Sequence, residues 1–231
     1  MCGRYVFIAP NAEVERLFSV RADAPIPPNY NVAPTQPVLI IRLNEKGVRE
    51  LVAVEWGLVP EWKRELADSK PLINARVETV KEKASFRSSI KRQRCLVPFS
   101  GWYEWKSVGG RKQPFYVAPV DGKPMAFAGI WSVWHGPSGD HWLETMAILT
   151  APTEGPMKSL HHRRPLVVRP EDYQAWLTPH DPLPRGFLET FNFVPETAFH
   201  WHAVNTGVNN VRFNGPECLD PPPEDPQPSL F

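Results

Sequence analysis

The chain has 231 residues, of which 26 are Lys or Arg and 25 are Asp or Glu, so its net charge is only +1. This length suits one large domain, and the balanced charge argues against a uniformly basic nucleic-acid-binding protein. Three widely spaced cysteines without a CxxC pair disfavour a disulfide framework and a zinc ribbon, and no apolar run approaches the ~20 residues of a membrane span.

The first predicted elements are a short helix and a proline-rich loop. Asn11 suits a helix N-cap, and Val14, Leu17 and Phe18 follow at the spacing that turns one apolar face inward. Residues 25–37, PIPPNYNVAPTQP, are unusually rich in proline. Because proline fixes φ and lacks the N–H that a regular element needs, this stretch predicts an extended, rigid loop.

A hairpin and a longer helix are predicted next. Residues 37–43 and 49–57, PVLIIRL and RELVAVEWG, predict two paired strands because the intervening NEKG has turn chemistry. Residues 78–92 mix charged and apolar positions and predict an amphipathic helix. Its apolar positions are Val80, Ala84, Phe86 and Ile90. Basic residues outnumber acidic ones between Arg76 and Arg94, so a local basic surface can exist on a near-neutral protein.

The second half of the chain is rich in strands. Strands are predicted at 95–99, 114–120, 124–134 and 144–151, with the sequences CLVPF, PFYVAPV, PMAFAGIWSVW and ETMAILTA. Pro170 opens a predicted helix that carries Tyr173, Trp176 and Leu177 on one face. A further short helix is predicted at 185–191.

Strands outnumber helices and do not alternate regularly with them, which excludes a doubly wound nucleotide-binding fold. We therefore predict one α+β domain, residues 1–218, around a central antiparallel, barrel-like β-sheet with peripheral short helices. Residues 219–231 form a proline-rich, acidic tail that is expected to be extended or disordered.

The start of the chain, MCGRY, carries the most distinctive chemistry. If Met1 is removed, Cys2 presents a free α-amine and a thiol on adjacent carbons. The amine has a reference pKa near ~7.7–8.0, so a fraction is neutral at pH 7 and can attack an aldehyde. The thiol can close the resulting imine into a five-membered thiazolidine, which no internal cysteine can form. The same two groups also permit acyl transfer, with the thiolate as nucleophile and the amine as base.

Two further segments supply polar groups of the kind such a site needs. In INARVET (73–79), Asn74 and Arg76 share one side of an extended segment, where the amide can hold a carbonyl or hydroxyl group and the guanidinium a phosphate. In SGWYEWK (100–106), Glu104 lies among aromatic residues, a setting that raises a carboxyl pKa and suits proton transfer. A surface ion pair for Arg76 and a solvent-facing Glu104 stay open as alternatives.

The remaining candidates are histidines and one tryptophan. LHHRRPLVV (160–168) places His161 beside arginines just before a predicted strand. Trp62 in VEWGLVPEW (54–62) can stack on an unpaired base if it is exposed, or it can belong to the core. HWH (200–202) has the spacing of two metal ligands, but no further ligand motif completes it. We therefore predict neither a metal site nor a cofactor.

Seven segments occur in one order, namely MCGRY, YNVAPTQ, EWGLVPEW, INARVET, RCLVPFSGWYEW, LHHRRPLVV and VNTGVNNVRFNGPEC. Together they resemble the SOS response-associated peptidase family, the domain that shields abasic sites in single-stranded DNA. The resemblance runs from residue 2 to about 218 and implies a single α+β domain with a barrel-like sheet. Two positions depart from the family pattern, Arg164 where methionine is usual and Ser100 where an acidic residue is common.

The resemblance implies that Met1 is removed and that Cys2 bonds covalently to the sugar aldehyde of an abasic site. It places Asn74, Glu104 and His161 in the active site, where the last two shuttle the protons that open the sugar ring. The arginines Arg4, Arg76 and Arg163 are predicted to contact DNA phosphates, and Trp62 is predicted to stack on a base. Thr150 is predicted to lie in the same wall of the DNA-binding site.

The expected function is therefore sensing and shielding of abasic sites through a thiazolidine crosslink, with self-processing peptidase activity and lyase-like imine chemistry. We expect a monomer whose partner is abasic single-stranded DNA, located in a bacterial-type cytosol or nucleoid and not in a membrane.

Three other functions stay open on the sequence. Glutamine amidotransferases of one class also begin Met-Cys-Gly and hydrolyse an amide through a thioester, so ammonia release from glutamine would identify an amidohydrolase. A non-catalytic module would bind single strands reversibly through Trp62 and the basic region, regardless of abasic sites. The third possibility is a peptidase that acts on other proteins, which the word 'peptidase' in the family name suggests.

Overall fold

A computed structural model of the protein describes residues 2–66, 70–139 and 141–223. The described residues form two β-sheets and a few short helices. The strands are β1 (Tyr5–Phe7), β2 (Asn29–Val32), β3 (Pro37–Leu43), β4 (Arg49–Trp56), β5 (Asn74–Arg76), β6 (Arg94–Phe99), β7 (Gly101–Val108), β8 (Arg111–Pro119), β9 (Met125–His135), β10 (Trp142–Pro152), β11 (Arg163–Pro165), β12 (Val167–Val168) and β13 (Phe199–Ala203). The α-helices are α1 (Asn11–Phe18), α2 (Ser89–Arg92), α3 (Tyr173–Leu177) and α4 (Phe187–Thr190).

Five of the strands close into a barrel. β3 pairs with β4 and β6, β6 with β9, β9 with β10, and β10 with β4, so the pairings return to the starting strand. The β4–β10 pair is parallel and the other pairs of the ring are antiparallel. β5 and β11 also pair with β10, and β12 pairs with β9. The predicted α+β domain with a barrel-like sheet is confirmed, and a parallel pair completes the ring.

The second sheet, in the order β13-β8-β7-β1-β2, packs against the barrel through aromatic rings. The ring centroid of Tyr5 lies 5.4 Å from that of Trp56 and 5.9 Å from that of Phe127. Trp102 lies 5.9 Å from Phe127, which in turn stacks on Phe99 at 3.8 Å. Burial of each of these aromatic side chains contributes roughly 1.5–3 kcal/mol to the free energy of unfolding, relative to leaving the side chain exposed. The packing fixes β1 and β7 against the barrel.

The predicted amino-terminal helix is confirmed as α1, with Val14 and Phe18 buried. Asn11 is not its N-cap, however, because Pro10 occupies that position and Asn11 is the first helical residue. The Asn11 side chain instead accepts a hydrogen bond from the backbone N–H of Ile26 at 2.9 Å. It therefore ties the proline-rich loop to the helix.

The proline-rich segment contains a strand that the sequence analysis did not predict. β2 occupies the proline-free centre of residues 25–37 and pairs with β1. The prediction of an extended, rigid loop is wrong for these four residues in that they form a paired strand, although their backbone is extended as predicted. A proline residue cannot donate a hydrogen bond to a neighbouring strand, but this affects only its own position. The N–H groups of the residues between the prolines remain available for pairing.

The predicted helix over residues 78–92 is wrong except for its end, α2. Successive turns precede α2, and Val80, Phe86 and Ile90 are buried while Ala84 is exposed. Val80 and Phe86 are six residues apart, which would place them on different faces of a regular helix. Burying both therefore favours turns over a continuous helix.

The remaining predicted elements are confirmed. The hairpin is β3–β4, the four later strands are β6, β8, β9 and β10, and the two later helices are α3 and α4. Cys218, at the predicted end of the domain, is buried in a 3-10 turn, Pro216–Leu219. Most of the predicted tail, 224–231, lies outside the described residues. None of the helices within the described ranges has the length and apolar character needed to span a bilayer.

Candidate active site

The antiparallel pairing of β1 with β7 brings the start of the chain to Glu104. Tyr5 lies opposite Trp102, so the same register places the residues before β1 beside Glu104. Cys2 is fully buried there. Burial raises the pKa of the Cys2 thiol, and the neighbouring charge of Glu104 raises it further. The thiol is therefore protonated at neutral pH.

β5 delivers Asn74 to the same place. This strand runs parallel to β10, with Asn74 opposite Ile148. Asn74 Nδ2 donates a hydrogen bond to the carbonyl oxygen of Cys2 at 2.8 Å. Asn74 Oδ1 is buried and has no hydrogen-bond partner within the described residues. An unsatisfied buried acceptor costs about 1–3 kcal/mol, so this atom favours a hydroxyl donor brought in by a ligand.

Glu104 is a buried carboxyl group with a shifted pKa. Its exposed fraction is 2%. Desolvation by burial raises the pKa of Glu104 to about 7. The direction of this shift agrees with the expectation from the aromatic sequence context. Near pH 7 both protonation states are populated, so the group can donate or accept a proton.

His161 is held through its backbone and its Nδ1 atom. Thr153 Oγ1 donates to the His161 carbonyl oxygen at 2.7 Å. Nδ1 lies 3.0 Å from both the backbone nitrogen and the carbonyl oxygen of Arg163. Burial lowers the pKa of His161, and the charge of the amino terminus lowers it further. The imidazole is therefore neutral at pH 7, with Nε2 on the side away from Arg163.

Glu104 and His161 belong to one site. Both side chains line an open cleft of about 480 Å³. The other lining residues are Arg4, Trp105, Lys112 and Asn209. A slightly larger groove, about 520 Å³, lies beside residues 22–29 and contains neither Glu104 nor His161.

One wall of the cleft is built from distant parts of the chain. Asn31 is buried, and its Oδ1 accepts a hydrogen bond from Arg4 Nη1 at 2.7 Å. Its Nδ2 donates to three carbonyl oxygens between residues 208 and 213. Trp105 Nε1 donates to Asn209 Oδ1 at 2.7 Å. Sequence reasoning gave no role to Asn31, Trp105, Lys112 or Asn209, although all but Lys112 lie in segments that carry the family resemblance.

The side chains predicted to contact DNA divide into accessible and buried groups. Arg76 is exposed at the end of β5, and Trp62 is 63% exposed, which excludes a core role for its ring. Arg4 is partly buried at the cleft. Arg163 and Thr150 are buried.

Arg163 is fully engaged below the surface. Its Nη1 and Nη2 atoms bind the two carboxylate oxygens of Glu78 at 2.7 and 2.9 Å. Nη2 also donates to the Thr150 carbonyl oxygen at 2.8 Å, and Nε donates to Thr150 Oγ1 at 3.3 Å. Because the guanidinium is already occupied, this geometry favours a supporting role next to His161 over the predicted contact with a phosphate.

The two positions that depart from the family pattern lie in ordered contacts. Arg164 Nε is 3.6 Å from a carboxylate oxygen of Glu196, and Arg164 Nη1 donates to the Val194 carbonyl oxygen at 3.2 Å. Ser100 Oγ accepts a hydrogen bond from the backbone N–H of Ile8 at 3.1 Å. Neither contact involves Cys2, Asn74, Glu104 or His161.

The two histidines of HWH lie on β13, exposed, with ring centroids 6.2 Å apart. Across residues 2–66, 70–139 and 141–223, no three His, Cys, Asp or Glu side chains are grouped as metal ligands.

Comparison with known sequences agrees with the motifs. A sequence model of the family described as SOS response associated peptidase (SRAP) matches residues 1–211. The abasic site processing protein YedK of Escherichia coli (strain K12) is 33% identical over 228 residues, which cover 96% of this chain and 100% of that protein. YoqW of Bacillus subtilis (strain 168), also named an abasic site processing protein, is 31% identical over 227 residues, 95% of this chain and 99% of that protein.

Comparison with solved structures shows the same fold in other proteins. A protein from Bacteroides thetaiotaomicron superposes with a TM-score of 0.83 at 24% identity, covering 95% of this chain and 99% of that one. A phage-related protein from Bordetella bronchiseptica has a TM-score of 0.70 at 28% identity, covering 89% of this chain and 95% of that one. The fold, the motifs and the family match agree, and the chain belongs to the SOS response associated peptidase family.

Proposed function

We propose that the protein senses and shields abasic sites in single-stranded DNA by forming a thiazolidine crosslink through Cys2 after removal of Met1. One observation carries this proposal. A carboxyl group with a pKa of about 7 and an imidazole with a lowered pKa line one open cleft, and the buried Cys2 lies close to that carboxyl group. The names of the relatives YedK and YoqW as abasic site processing proteins support the same substrate.

The first chemical step is opening of the sugar. An abasic sugar is mostly a closed hemiacetal, and the reactive aldehyde is its minor form. Opening needs a proton on the ring oxygen and removal of a proton from the anomeric hydroxyl. Glu104 can supply or accept a proton because its pKa is about 7, and the neutral imidazole of His161 can accept one. Asn74 Oδ1 can accept a hydrogen bond from a sugar hydroxyl.

The amine of Cys2 then attacks the aldehyde carbon. A carbinolamine forms and loses one water molecule to give an imine. The thiol adds to the C=N bond, so a sulfur–carbon bond forms and the thiol proton is transferred to nitrogen. Because burial raises the pKa of the Cys2 thiol, ring closure depends on a neighbouring base, Glu104 or His161, to move that proton. The overall reaction releases one water and needs neither oxidant nor reductant.

Shielding follows from competition between two fates of the imine. An imine at an abasic sugar permits strand cleavage by β-elimination, and ring closure removes the imine. Lyase-like chemistry is thus the side reaction that the thiol suppresses. The peptidase activity in this proposal is limited to release of Met1, because an acylated Cys2 nitrogen cannot form an imine.

DNA binding is assigned to the accessible side chains. In this proposal Arg76 and Arg4 contact phosphates and Trp62 stacks on a neighbouring base, which the exposure of Arg76 and Trp62 and the partial exposure of Arg4 support. Contacts between guanidinium groups and phosphates release counterions, so affinity should fall as salt rises. Arg163 and Thr150 support the segment around His161 in this proposal.

The test is the intact mass of methionine-free protein after incubation with a single-stranded oligonucleotide that contains one abasic site. Under denaturing conditions we expect a species with the summed mass minus one water. An oligonucleotide with every base intact is the control and should give only the separate species. If the abasic oligonucleotide also gives only separate species, the proposal fails. Ammonia release from glutamine would instead identify an amidohydrolase, and purely reversible binding a non-covalent module.

A further inference from the structure

We propose that Glu78 is a positioning residue for His161 and acts through Arg163. This inference rests on the proposed function, because the orientation of His161 matters only if its imidazole moves protons in the cleft. Glu78 follows β5 by two residues and has no assigned role in the reaction described above. It does not line the cleft.

The first link joins Glu78 to the Arg163 side chain. Both carboxylate oxygens of Glu78 bind the guanidinium, at 2.7 and 2.9 Å, in a bidentate ion pair. The Arg163 side chain is 8% exposed and the Glu78 side chain 42%. Two further hydrogen bonds go to Thr150 on β10. The guanidinium is thus held from a loop on one side and from the barrel wall on the other.

The second link joins the Arg163 backbone to the imidazole. Arg163 lies on β11 opposite Pro152 of β10, so its peptide groups are fixed by the sheet as well as by its side chain. Its N–H donates to an unprotonated Nδ1 of His161, and its carbonyl oxygen accepts from a protonated Nδ1, both at 3.0 Å. Arg163 can therefore hydrogen-bond to either neutral tautomer of His161. A group that alternately accepts and donates a proton at Nε2 requires this.

The third link is electrostatic. The charge of Arg163 lowers the pKa of His161, and hydrogen bonding with Arg163 lowers the pKa of Glu78, which keeps that carboxylate ionised. Glu78 therefore offsets a cation that acts on the imidazole. The other titratable or charged groups around His161 are the amino terminus, His162, Glu104, Arg4 and Lys112. These groups stay the same when Glu78 alone is changed.

The test compares Glu78→Gln, Glu78→Asp and Glu189→Gln. Glu78→Gln keeps the size and removes the charge, so we expect the crosslinking rate at saturating abasic DNA to fall roughly tenfold to a hundredfold. The titration of His161, followed by ¹⁵N NMR without DNA and by the pH–rate profile with DNA, should move to lower pH because the Arg163 charge is uncompensated. Glu78→Asp keeps the charge and should restore the wild-type titration. Glu189→Gln removes an exposed ion pair with Lys81 and should leave both readouts unchanged.

Two outcomes would overturn the inference. One is an unchanged His161 titration in Glu78→Gln. The other is a shift to higher pH, which would indicate that the ring has merely become exposed. If Glu78→Gln binds DNA more tightly while the His161 titration is unchanged, the inference is also overturned. That result would indicate that Arg163 is a phosphate ligand and that Glu78 restrains it. If wild-type protein forms no crosslink, the proposed function fails, while the ¹⁵N titration still decides whether Glu78 acts on His161.

Discussion

Cys2 and Cys95 present the same thiol in two regions of the molecule. Both are free and fully buried, and burial raises the pKa of each thiol. Cys95 lies within β6 in the barrel wall, where its carbonyl oxygen accepts a hydrogen bond from Trp176 Nε1 at 2.9 Å. Cys2 precedes β1, where Asn74 holds its carbonyl oxygen and Glu104 shifts its pKa.

The two cysteines differ in backbone nitrogen and in surrounding space. The nitrogen of Cys95 is a peptide amide in the middle of a strand, whereas that of Cys2 becomes an amine when Met1 is removed. Cys95 Sγ is so tightly packed that a Cβ on Gly129 would lie 2.7 Å from it. Cys2 adjoins a cleft of about 480 Å³ through Glu104. Burial and thiol pKa therefore do not distinguish the two cysteines, whereas chain position and polar neighbours do.

The largest expected effect separates the two thiols directly. Cys2→Ala should abolish the denaturant-resistant adduct with abasic DNA, because a transient imine is all that its amine can form. Cys95→Ala should retain the adduct and lose about 1 kcal/mol of unfolding free energy through the cavity it creates. Intact mass and urea denaturation measure the two effects. A stable adduct with Cys2→Ala would show that the bond forms elsewhere.

The next effect tests the carboxyl group that distinguishes the Cys2 region. Glu104→Gln keeps the shape and cannot transfer a proton, so the single-turnover crosslinking rate should fall by roughly a hundredfold or more. Glu50→Gln, which alters an ion pair with Arg42 on the β3–β4 hairpin, is the matched control and should react at the wild-type rate. Equal rates for the two variants would remove Glu104 from the mechanism.

The same carboxyl group should make stability depend on pH. The pKa of Glu104 is about 7 in the folded protein, above its ordinary value of 4.5, so the folded state binds a proton that the unfolded state releases between these values. The resulting stability is fully present below pH 4.5 and is lost as pH rises through 7. At pH 8, Glu104→Gln should therefore raise the unfolding free energy by up to about 3 kcal/mol, and at pH 4 by little. Urea titrations at both values measure this, and a pH-independent difference would contradict it.

A smaller effect is expected where Asn74 holds Cys2. Asn74→Ala removes one hydrogen bond to the Cys2 carbonyl oxygen and the buried Oδ1 acceptor. A hydrogen bond contributes about 1 kcal/mol, so the crosslinking rate should fall roughly five- to tenfold. Quenched-flow analysis at saturating DNA measures it. An unchanged rate would mean that packing alone positions Cys2.

The smallest effect concerns binding and not the reaction. Arg76→Ala should reduce the slope of log affinity against log salt by about 0.7, the value for one phosphate contact on a single strand. Arg21→Ala is the control, because Arg21 is exposed in an ion pair with Asp23 outside the cleft. Fluorescence anisotropy with an intact-base oligonucleotide gives both slopes. Identical slopes would exclude a phosphate contact by Arg76.

Sequence patterns predicted the elements whose cause is local. The hairpin of β3 and β4 has a turn between two apolar strands, and α1 has apolar residues at helical spacing. The misses arise from tertiary contacts. β2 exists because β1 pairs with it. Residues 78–88 form turns instead of a helix because Val80 and Phe86 are both buried in the core.

The site was predicted in the same uneven way. Cys2 and Glu104 stood out because their chemistry is readable from the residue and its immediate neighbours. Asn31 and Glu78 did not, because their roles depend on partners far along the chain. Asn31 binds the Val208 carbonyl oxygen across 177 residues, and Glu78 binds Arg163 across 85. No local periodicity reports such contacts.

The wall that joins Arg4 and Asn31 to the segment around Asn209 has a consequence for biosynthesis. A ribosome makes Cys2 and Arg4 well before it makes Asn209. At about 5–20 residues per second, the roughly 200 intervening residues take about 10–40 s. Throughout that interval the nascent chain carries Cys2 without the complete cleft. In the proposed function, trapping of damage therefore begins only after Asn209 has been made, and a chain terminated before that residue would carry Cys2 without a binding site.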